Sequence, residues 1–405
     1  MAGQIRFLEG GTVTSPKGYV AGATFAGMKT YAEDKLDLGI LLSQRPAVTA
    51  GVFTTSTVRS ACVTLTQRNI GKGPVRALVV NSGIANACVG DQGLKDAEET
   101  TRLAAKLLKL EPREVVVGST GLIGVELPMA LMKSSLGRIQ LTSEGGHGFA
   151  RAIVTTDSHP KEVAVTFRVG AKSVTIGGAC KGSGMIHPNM ATMLAYIATD
   201  ATVEQAFLQK SLKEAADASF NMISVDGDTS TNDTALLFAN GAAEADPIQP
   251  GTPAAETFQE ALTAVCVHLA KEIARDGEGA TRLLEVTVEG ARSLADARAA
   301  ARTIASSNLV KSAVHGGDPN WGRIMAALGR SGADVEESKV ALYVNDVCIM
   351  ENGLPIPYHK DSIVVLMRQA EVAFRLNLNL GSERATAWGC DLSEEYVTFN
   401  SAYTT

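Results

Sequence analysis

The sequence has few cysteines, and their spacing matches neither a metal site nor a disulfide framework. No CxxC pair occurs. Structural zinc sites and small disulfide-linked domains both place cysteines at short, recurring intervals. We therefore predict that the thiols are small buried side chains without a metal or a disulfide. The six cysteines are Cys62, Cys88, Cys180, Cys266, Cys348 and Cys390.

Long apolar runs and basic clusters are also lacking. No run approaches the roughly 18 apolar residues typical of a membrane span, and residues 1–10 lack the apolar core of a secretory signal. The formal net charge is −6, and lysine and arginine form no run. Nucleic-acid-binding proteins usually concentrate basic residues on one surface. We therefore expect a cytoplasmic protein that binds neither membranes nor nucleic acids.

Several common catalytic motifs are missing as well. The chain contains no HExxH, GxxxxGK[ST], GxSxG or complete GxGxxG pattern. These patterns mark zinc peptidases, P-loop nucleotide-binding proteins, α/β-hydrolases and dinucleotide-binding domains. The sequence therefore supports none of these classes, and we expect neither a metal nor an organic cofactor.

The composition is that of a globular protein with ample material for a core, because 45% of the 405 residues are apolar and 20% are charged. Short β-rich runs alternate with helical stretches, which predicts a mixed α/β chain. One helix is predicted from apolar residues at helical spacing, namely Phe258, Leu262, Val265, Leu269 and Ile273. Residues 339–348 are predicted to form one strand, and residues 243–255 are the best loop candidate. The other predicted strands are 75–81, 114–117, 163–169, 173–176, 193–198 and 283–288, and the other predicted helices are 93–110, 128–139 and 294–306.

The most informative segment is KGSGMIHPNMATML, residues 181–194. Its glycines allow unusual backbone conformations, and Pro188 fixes φ in the approach to Thr192. A threonine hydroxyl becomes a good nucleophile when a base lies beside it, and its own α-amine can serve once the preceding peptide bond is cut. That amine has an ordinary pKa of about 7.7–8.0, which suits general-base catalysis. The segment therefore raises cleavage between Ala191 and Thr192 as a hypothesis, against the alternative that Thr192 simply belongs to the core.

This segment resembles the self-cleaving segment of the bifunctional glutamate and ornithine N-acetyltransferases of arginine biosynthesis. Further stretches share the resemblance and follow the family's order along nearly the whole chain. They are VTSPKG (13–18), VNSGIANA (80–87), STGLIG (119–124), TTDSHPK (155–161), GDPNWGR (317–323) and NSAYTT (400–405). Ile84 and Leu122 stand where the family commonly has asparagine and valine, and neither position has an implied catalytic role.

The resemblance implies an N-terminal-nucleophile-like fold. That fold is an α+β or α/β layered sandwich of two packed sheets flanked by helices. The resemblance also implies autocatalytic cleavage into an alpha fragment, residues 1–191, and a beta fragment, residues 192–405, which stay together. We expect them to assemble as a heterotetramer of two alpha and two beta chains.

The resemblance further implies a role for each matching site residue. Thr192 is implied as the nucleophile and, through its freed amine, as the base. Thr120 and Gly121 are implied as the oxyanion hole, a role that suits a hydroxyl and a backbone N–H in a tight turn. With the α-amine available, neither His187 nor His315 is needed as a base. The implied substrate-binding residues are Thr155, Lys181, Thr192, Glu278, Asn400 and Thr405.

The implied reaction is a double displacement. Thr192 takes the acetyl group from N2-acetylornithine, ornithine leaves, and glutamate collects the acetyl group to give N-acetylglutamate. In many members acetyl-CoA is also accepted as a donor substrate. Two alternatives remain open at this point. One is an N-terminal-nucleophile amidase or aminopeptidase in which water is the acceptor, and the other is a non-catalytic binding or structural protein.

Overall fold

The computed structural model describes residues 5–29, 35–187 and 193–402. Its strands are β1 (Arg6–Phe7), β2 (Tyr19–Thr24), β3 (Leu38–Phe53), β4 (Val75–Ile84), β5 (Val115–Leu122), β6 (Lys161–Val169), β7 (Lys172–Lys181), β8 (Leu194–Thr199), β9 (Ile223–Ser224), β10 (Thr234–Ala239), β11 (Leu283–Ala291), β12 (Ala341–Val344), β13 (Val347–Glu351), β14 (Leu354–Pro355), β15 (Glu371–Asn377) and β16 (Glu383–Cys390). Its α-helices are α1 (Ala61–Ile70), α2 (Gly90–Leu108), α3 (Met129–Leu136), α4 (Gly146–Ile153), α5 (Gln205–Ala218), α6 (Pro253–Arg275), α7 (Leu294–Ala305), α8 (Asn308–Gly316), α9 (Trp321–Gly329), α10 (Lys360–Met367) and α11 (Glu394–Ala402).

The larger sheet has nine strands within these ranges, in the order β1-β6-β7-β8-β10-β3-β4-β5, with β2 also paired to β3. The long strand β3 makes this width possible, because its first part pairs with β2 and β4 and its last part pairs with β10. The β4–β5 and β8–β10 pairs are parallel. The other neighbours in this sheet are antiparallel. The sheet is therefore mixed.

Strands β7 and β8 bring the two predicted fragments into one sheet. β7 ends at Lys181 and β8 begins at Leu194, and these two residues are register partners in an antiparallel ladder. Strand β10, from the later part of the chain, pairs with β3, from the earlier part. Backbone hydrogen bonds therefore join the residues before the proposed cleavage position to those after it.

The second sheet has the order β14-β13-β12-β15-β11-β16-β9 and is also mixed, since β11 is parallel to β15 and antiparallel to β16. Helix α6 contacts β6 and β7 of the first sheet and β11 and β16 of the second. The residues of its predicted apolar face are all fully buried, which confirms the helix; they are Phe258, Leu262, Val265, Leu269 and Ile273. Burial of each such large side chain contributes about 1.5–3 kcal/mol. The predicted fold of two sheets flanked by helices is confirmed.

Residues 339–348 do not form the single strand that the sequence predicts. β12 ends at Val344 and β13 begins at Val347, and the two strands form an antiparallel hairpin. Asn345 between them has a φ of +50°. Asparagine tolerates this left-handed conformation, which tight hairpin turns need. Apolar residues flank the turn on both sides, so the hydrophobic pattern of the sequence does not indicate that a turn is present.

Helix α6 also shortens the predicted loop at residues 243–255. The helix begins at Pro253, and the Thr252 side chain accepts the backbone N–H of Ala255 as an N-cap. Proline is favoured at the first helical position because its missing N–H is not needed there. Two cysteines also depart from prediction, since Cys88 is exposed and Cys348 is only partly buried.

In the part of the chain that the structure describes, no helix combines the length and the apolar character that crossing a membrane would require.

Candidate active site

Six of the residues singled out in the sequence line one cleft, which has an empty volume of about 710 Å³ including its open mouth. They are Thr120, Gly121, Thr155, Lys181, Glu278 and Asn400. Three further predicted site residues, Ala191, Thr192 and Thr405, lie outside the described residues. The chain is described again from Met193, which also lines the cleft. The residue that follows Thr192 in the sequence is therefore part of the cleft wall.

The first wall is the 119–121 segment, which the sequence predicts as a turn but which is the last part of strand β5. Gly121 has a φ of +129°, and a Cβ at this position would come within 2.2 Å of the carbonyl carbon of Gly83. Only glycine fits such a close approach of two backbones. The pairing of β5 with β4 therefore holds the backbone of Gly121 directly against that of Gly83. Gly121 has no side chain of its own that could cover this backbone.

Lys181 connects this wall to strand β7. It is the last residue of β7, it is 8% exposed, and its Nζ donates to Thr120 Oγ1 at 3.4 Å. A hydroxyl oxygen that accepts from an ammonium group still has its own hydrogen to donate. Thr120 can therefore act as a hydrogen-bond donor toward a ligand in the cleft.

Three buried charged side chains, which we call the charged cluster, lie beside the cleft. Lys161 Nζ donates to Asp157 Oδ1 at 2.7 Å and to Asp276 Oδ2 at 2.6 Å. The side chains of Asp157 and Lys161 are 0% exposed, and that of Asp276 is 8% exposed. No role for this cluster is predicted from the sequence. Asp157 and Lys161 belong to the TTDSHPK stretch, but Asp276 is 115 residues further along and carries no local signal.

The charged cluster binds the backbone at or next to two predicted substrate-binding residues, Thr155 and Lys181. Asp157 Oδ2 accepts the N–H of Thr155 at 3.0 Å, and Oδ1 accepts the N–H of Gly182, next to Lys181, at 2.7 Å. Burial opposes ionisation of Asp157, but Lys161, Lys181 and the Gly182 N–H hold the pKa of its carboxyl well below the usual range. Burial likewise opposes the charge on Lys161, but the two aspartates raise the pKa of its amine. All of these contacts favour the ionised forms.

Glu278 supplies a carboxylate to the same cleft. It follows Asp276 by two residues, and its backbone N–H donates to Ser183 O at 2.9 Å. A Cβ on Gly184 would lie 2.3 Å from Glu278 Oε1, so a side chain at this position would displace the carboxylate from where it now lies. Asn400 of α11 donates from Nδ2 to Glu278 Oε2 at 2.9 Å. The last described helix therefore reaches the cleft through this bond.

The two histidines that the sequence predicts are not needed as bases have partners elsewhere, and neither is among the described residues that line the cleft. His187 Nδ1 lies 3.0 Å from Ser224 Oγ. Burial and the nearby Arg302 lower the pKa of His187 to about 4, so its ring is neutral at neutral pH. His315 Nδ1 lies 2.8 Å from Asp391 Oδ2.

The described ranges contain no group of three or more His, Cys, Asp or Glu side chains placed to hold a metal ion.

Comparison with known proteins adds the following findings. Residues 20–405 match the model of the ArgJ family. The chain is 51% identical over 405 residues to the arginine biosynthesis bifunctional protein ArgJ of Dehalococcoides mccartyi, with 100% of both chains covered. It is 45% identical over 396 residues to the protein of that name from Bacillus subtilis, with 98% of this chain and 97% of the relative covered. The crystal structure of the Bacillus halodurans ArgJ protein aligns with a TM-score of 0.51 and 40% identity, covering 52% of this chain and 100% of that one.

Proposed function

The chain belongs to the ArgJ family of bifunctional acetyltransferases of arginine biosynthesis, and from this premise we propose that it transfers the acetyl group of N2-acetylornithine to glutamate. The transfer runs through an acetyl ester on Thr192, which becomes a chain start when the Ala191–Thr192 bond is cleaved. We extend the proposal to acetyl-CoA as a second donor to the same hydroxyl, which agrees with the word bifunctional in the names of the relatives.

The observation that carries this proposal is the grouping of complementary chemical groups around one cleft. Thr120 and Gly121 offer a hydroxyl and a backbone N–H, and Glu278 offers a carboxylate. Both ornithine and glutamate have an α-carbon with an amino nitrogen and a carboxylate. Lys181 can pair with that carboxylate, and Glu278 can accept a hydrogen bond from the α-nitrogen, which is an uncharged amide in N2-acetylornithine and an amine in glutamate, so the two amino acids can bind in turn.

Each half-reaction then follows ordinary acyl-transfer chemistry. The Thr192 amine takes the proton of the Thr192 hydroxyl as Oγ1 attacks the acetyl carbonyl. Thr120 Oγ1 and the Gly121 N–H donate to the oxyanion of the tetrahedral intermediate, and each such donor is worth about 2.7–4 kcal/mol. The Thr192 ammonium returns its proton to the leaving nitrogen, and ornithine departs. In the second half, the neutral amine of glutamate attacks the ester, and the Thr192 amine takes a proton from that nitrogen. The resulting ammonium gives the proton to the departing Thr192 oxygen, which releases N-acetylglutamate and restores the hydroxyl.

The pairing of the sheet strands supports continued association of the two fragments after cleavage. Residues 1–191 include β3 and β7, and residues 192–405 include β8 and β10, which pair with them. We extend the proposal to a heterotetramer of two fragments of each kind. The native mass of the purified enzyme, compared with its fragment masses, measures this assembly.

N-terminal sequencing and an acceptor assay test the function. Wild-type protein should give two fragments on a denaturing gel, one of them beginning at Thr192, and should form N-acetylglutamate from N-acetylornithine only when glutamate is present. Thr192→Ala should stay uncleaved and lose transfer by about 10⁴-fold or more, because the nucleophile and the base are both removed. Thr192→Ser, which keeps a hydroxyl and an amine, is the matched control and should retain both activities in part.

The same assay separates the alternatives. Acetate release at a rate that glutamate does not change would replace the transferase with an amidase that uses water. An uncleaved wild-type chain without either activity would instead favour a non-catalytic protein.

A further inference from the structure

The outer edge of strand β5 shows how the 119–121 segment is held in place. β5 is the last strand of the nine-stranded sheet in its described part, so one edge has no neighbouring strand. Side chains bind the backbone groups of that edge at alternate residues. Asn69 Nδ2 donates to Val115 O at 2.9 Å. Thr66 Oγ1 donates to Val117 O at 2.7 Å and accepts the Val117 N–H at 2.9 Å.

Asn232 continues this series at the next alternate residue. Its Nδ2 donates to Ser119 O at 2.7 Å. In an extended strand, the backbone polar groups of residues two apart lie on the same edge. The next position after Ser119 on this edge is therefore Gly121, which lines the cleft. The hydrogen bond of Asn232 thus lies one repeat away from the N–H that is proposed to bind the oxyanion.

Asn232 also fixes the neighbouring strand of the same wall. Its Nδ2 donates a second hydrogen bond, to Ala85 O at 2.6 Å, directly after the end of β4. Its Oδ1 accepts from Thr231 Oγ1 at 2.6 Å, and the residue is 6% exposed. Both amide hydrogens and the amide oxygen therefore have partners. One buried side chain joins the ends of β4 and β5, where Gly83 and Gly121 meet.

The backbone of Asn232 is also linked, through Thr234, to Met193. Its carbonyl accepts from Thr234 Oγ1 at 2.9 Å. The N–H of Thr234 donates to Met193 O at 3.0 Å, and Thr234 is the register partner of Leu194. The strand that begins two residues after Asn232 is thus bonded to the residue that follows Thr192 in the sequence.

We infer that Asn232 is a positioning residue that holds the Gly121 N–H in place as an oxyanion donor. The inference rests on the proposed acetyl transfer and adds a residue to it. Loss of the amide leaves the carbonyls of Ser119 and Ala85 without this donor, so the ends of β4 and β5 can shift. An error of about 1 Å in such a constellation can lower the rate on the order of 10²-fold. Because the oxyanion forms only during reaction, kcat should fall while KM changes little.

The test compares Asn232→Ala and Asn232→Asp with Asn69→Ala. Asn69 is also buried, at 4% exposed, and donates its amide to a carbonyl on the same edge of β5, two repeats further from Gly121. Asn232→Asp keeps the shape of the side chain but replaces the donors with oxygen. Transfer from N-acetylornithine to glutamate is measured per mole of fragment beginning at Thr192, with the Tm of each protein recorded alongside.

We expect kcat to fall about 10- to 100-fold in both Asn232 variants, with KM within about twofold of wild type. Asn69→Ala should lower Tm by a similar amount but keep kcat within about twofold. The inference is overturned if kcat is unchanged in the Asn232 variants, if Asn69→Ala loses as much, or if both Asn232 variants fail to fold while Asn69→Ala folds. Absence of transfer in the wild-type enzyme would refute the proposed function itself, which is a different result.

Discussion

The 119–121 segment and the charged cluster meet at Lys181 and Gly182 but are held in place by different interactions. The 119–121 segment depends on neutral hydrogen bonds from amides and hydroxyls, such as those of Asn232 to Ser119 and Ala85. The charged cluster depends on one buried ammonium between two carboxylates. Neutral groups do not titrate near neutral pH, whereas buried ions are costly to leave unpaired. We therefore expect damage to the first to appear in kcat and damage to the second to appear in stability.

The largest effect on stability should come from Lys161→Met. The substitution keeps most of the side-chain volume but leaves Asp157 and Asp276 buried without their shared cation. Breaking a buried pair in this way typically costs about 3–5 kcal/mol. Urea denaturation measures the loss in the free energy of unfolding.

Lys213→Met is the control for that experiment. Lys213 pairs with Asp217 on the surface of α5, where its side chain is 61% exposed. Exposed pairs of this kind contribute about 0.2–1 kcal/mol. Equal losses in the two variants would show that the charged cluster is no more important to stability than a surface ion pair.

The second effect should come from Thr120→Val and should appear in catalysis. Valine keeps the branched shape and removes the hydroxyl, so one proposed oxyanion donor is lost. We expect kcat for acetyl transfer to fall on the order of 10²–10³-fold while the Tm stays close to wild type. A wild-type kcat, or a loss of stability as large as that of Lys161→Met, would remove the contrast between the 119–121 segment and the charged cluster.

The sequence predicts this division only in part. The resemblance identifies six residues that the fold brings to one cleft, and the spacing of Phe258 and its neighbours predicts the helix that contacts both sheets. It does not predict that Asn232 binds Ser119, since these residues are 113 positions apart. Such partners are set by which strands become neighbours. The local spacing of apolar residues does not indicate which strands become neighbours. For the same reason, the sequence does not predict that Asp276 binds Lys161.

The smallest effect should be a difference in the pH dependence of stability. Because the pKa of Asp157 is held low in the folded protein, its ionised form stabilises the fold above the unfolded pKa of about 3.9, and this contribution is lost as pH falls toward the folded pKa. Asp157→Asn has no ionisable carboxyl at this position and therefore lacks this pH-dependent contribution to stability. The gap in unfolding free energy between wild type and Asp157→Asn should therefore narrow by only a few tenths of a kcal/mol from pH 7 to pH 4, and by about 1 kcal/mol by pH 3.

Thr120→Val, which removes no ionisable group, should instead follow the wild-type curve in parallel. If the Asp157→Asn gap stayed constant down to pH 3, or if Thr120→Val changed the shape of the curve, the 119–121 segment and the charged cluster would not differ in the way their contacts indicate.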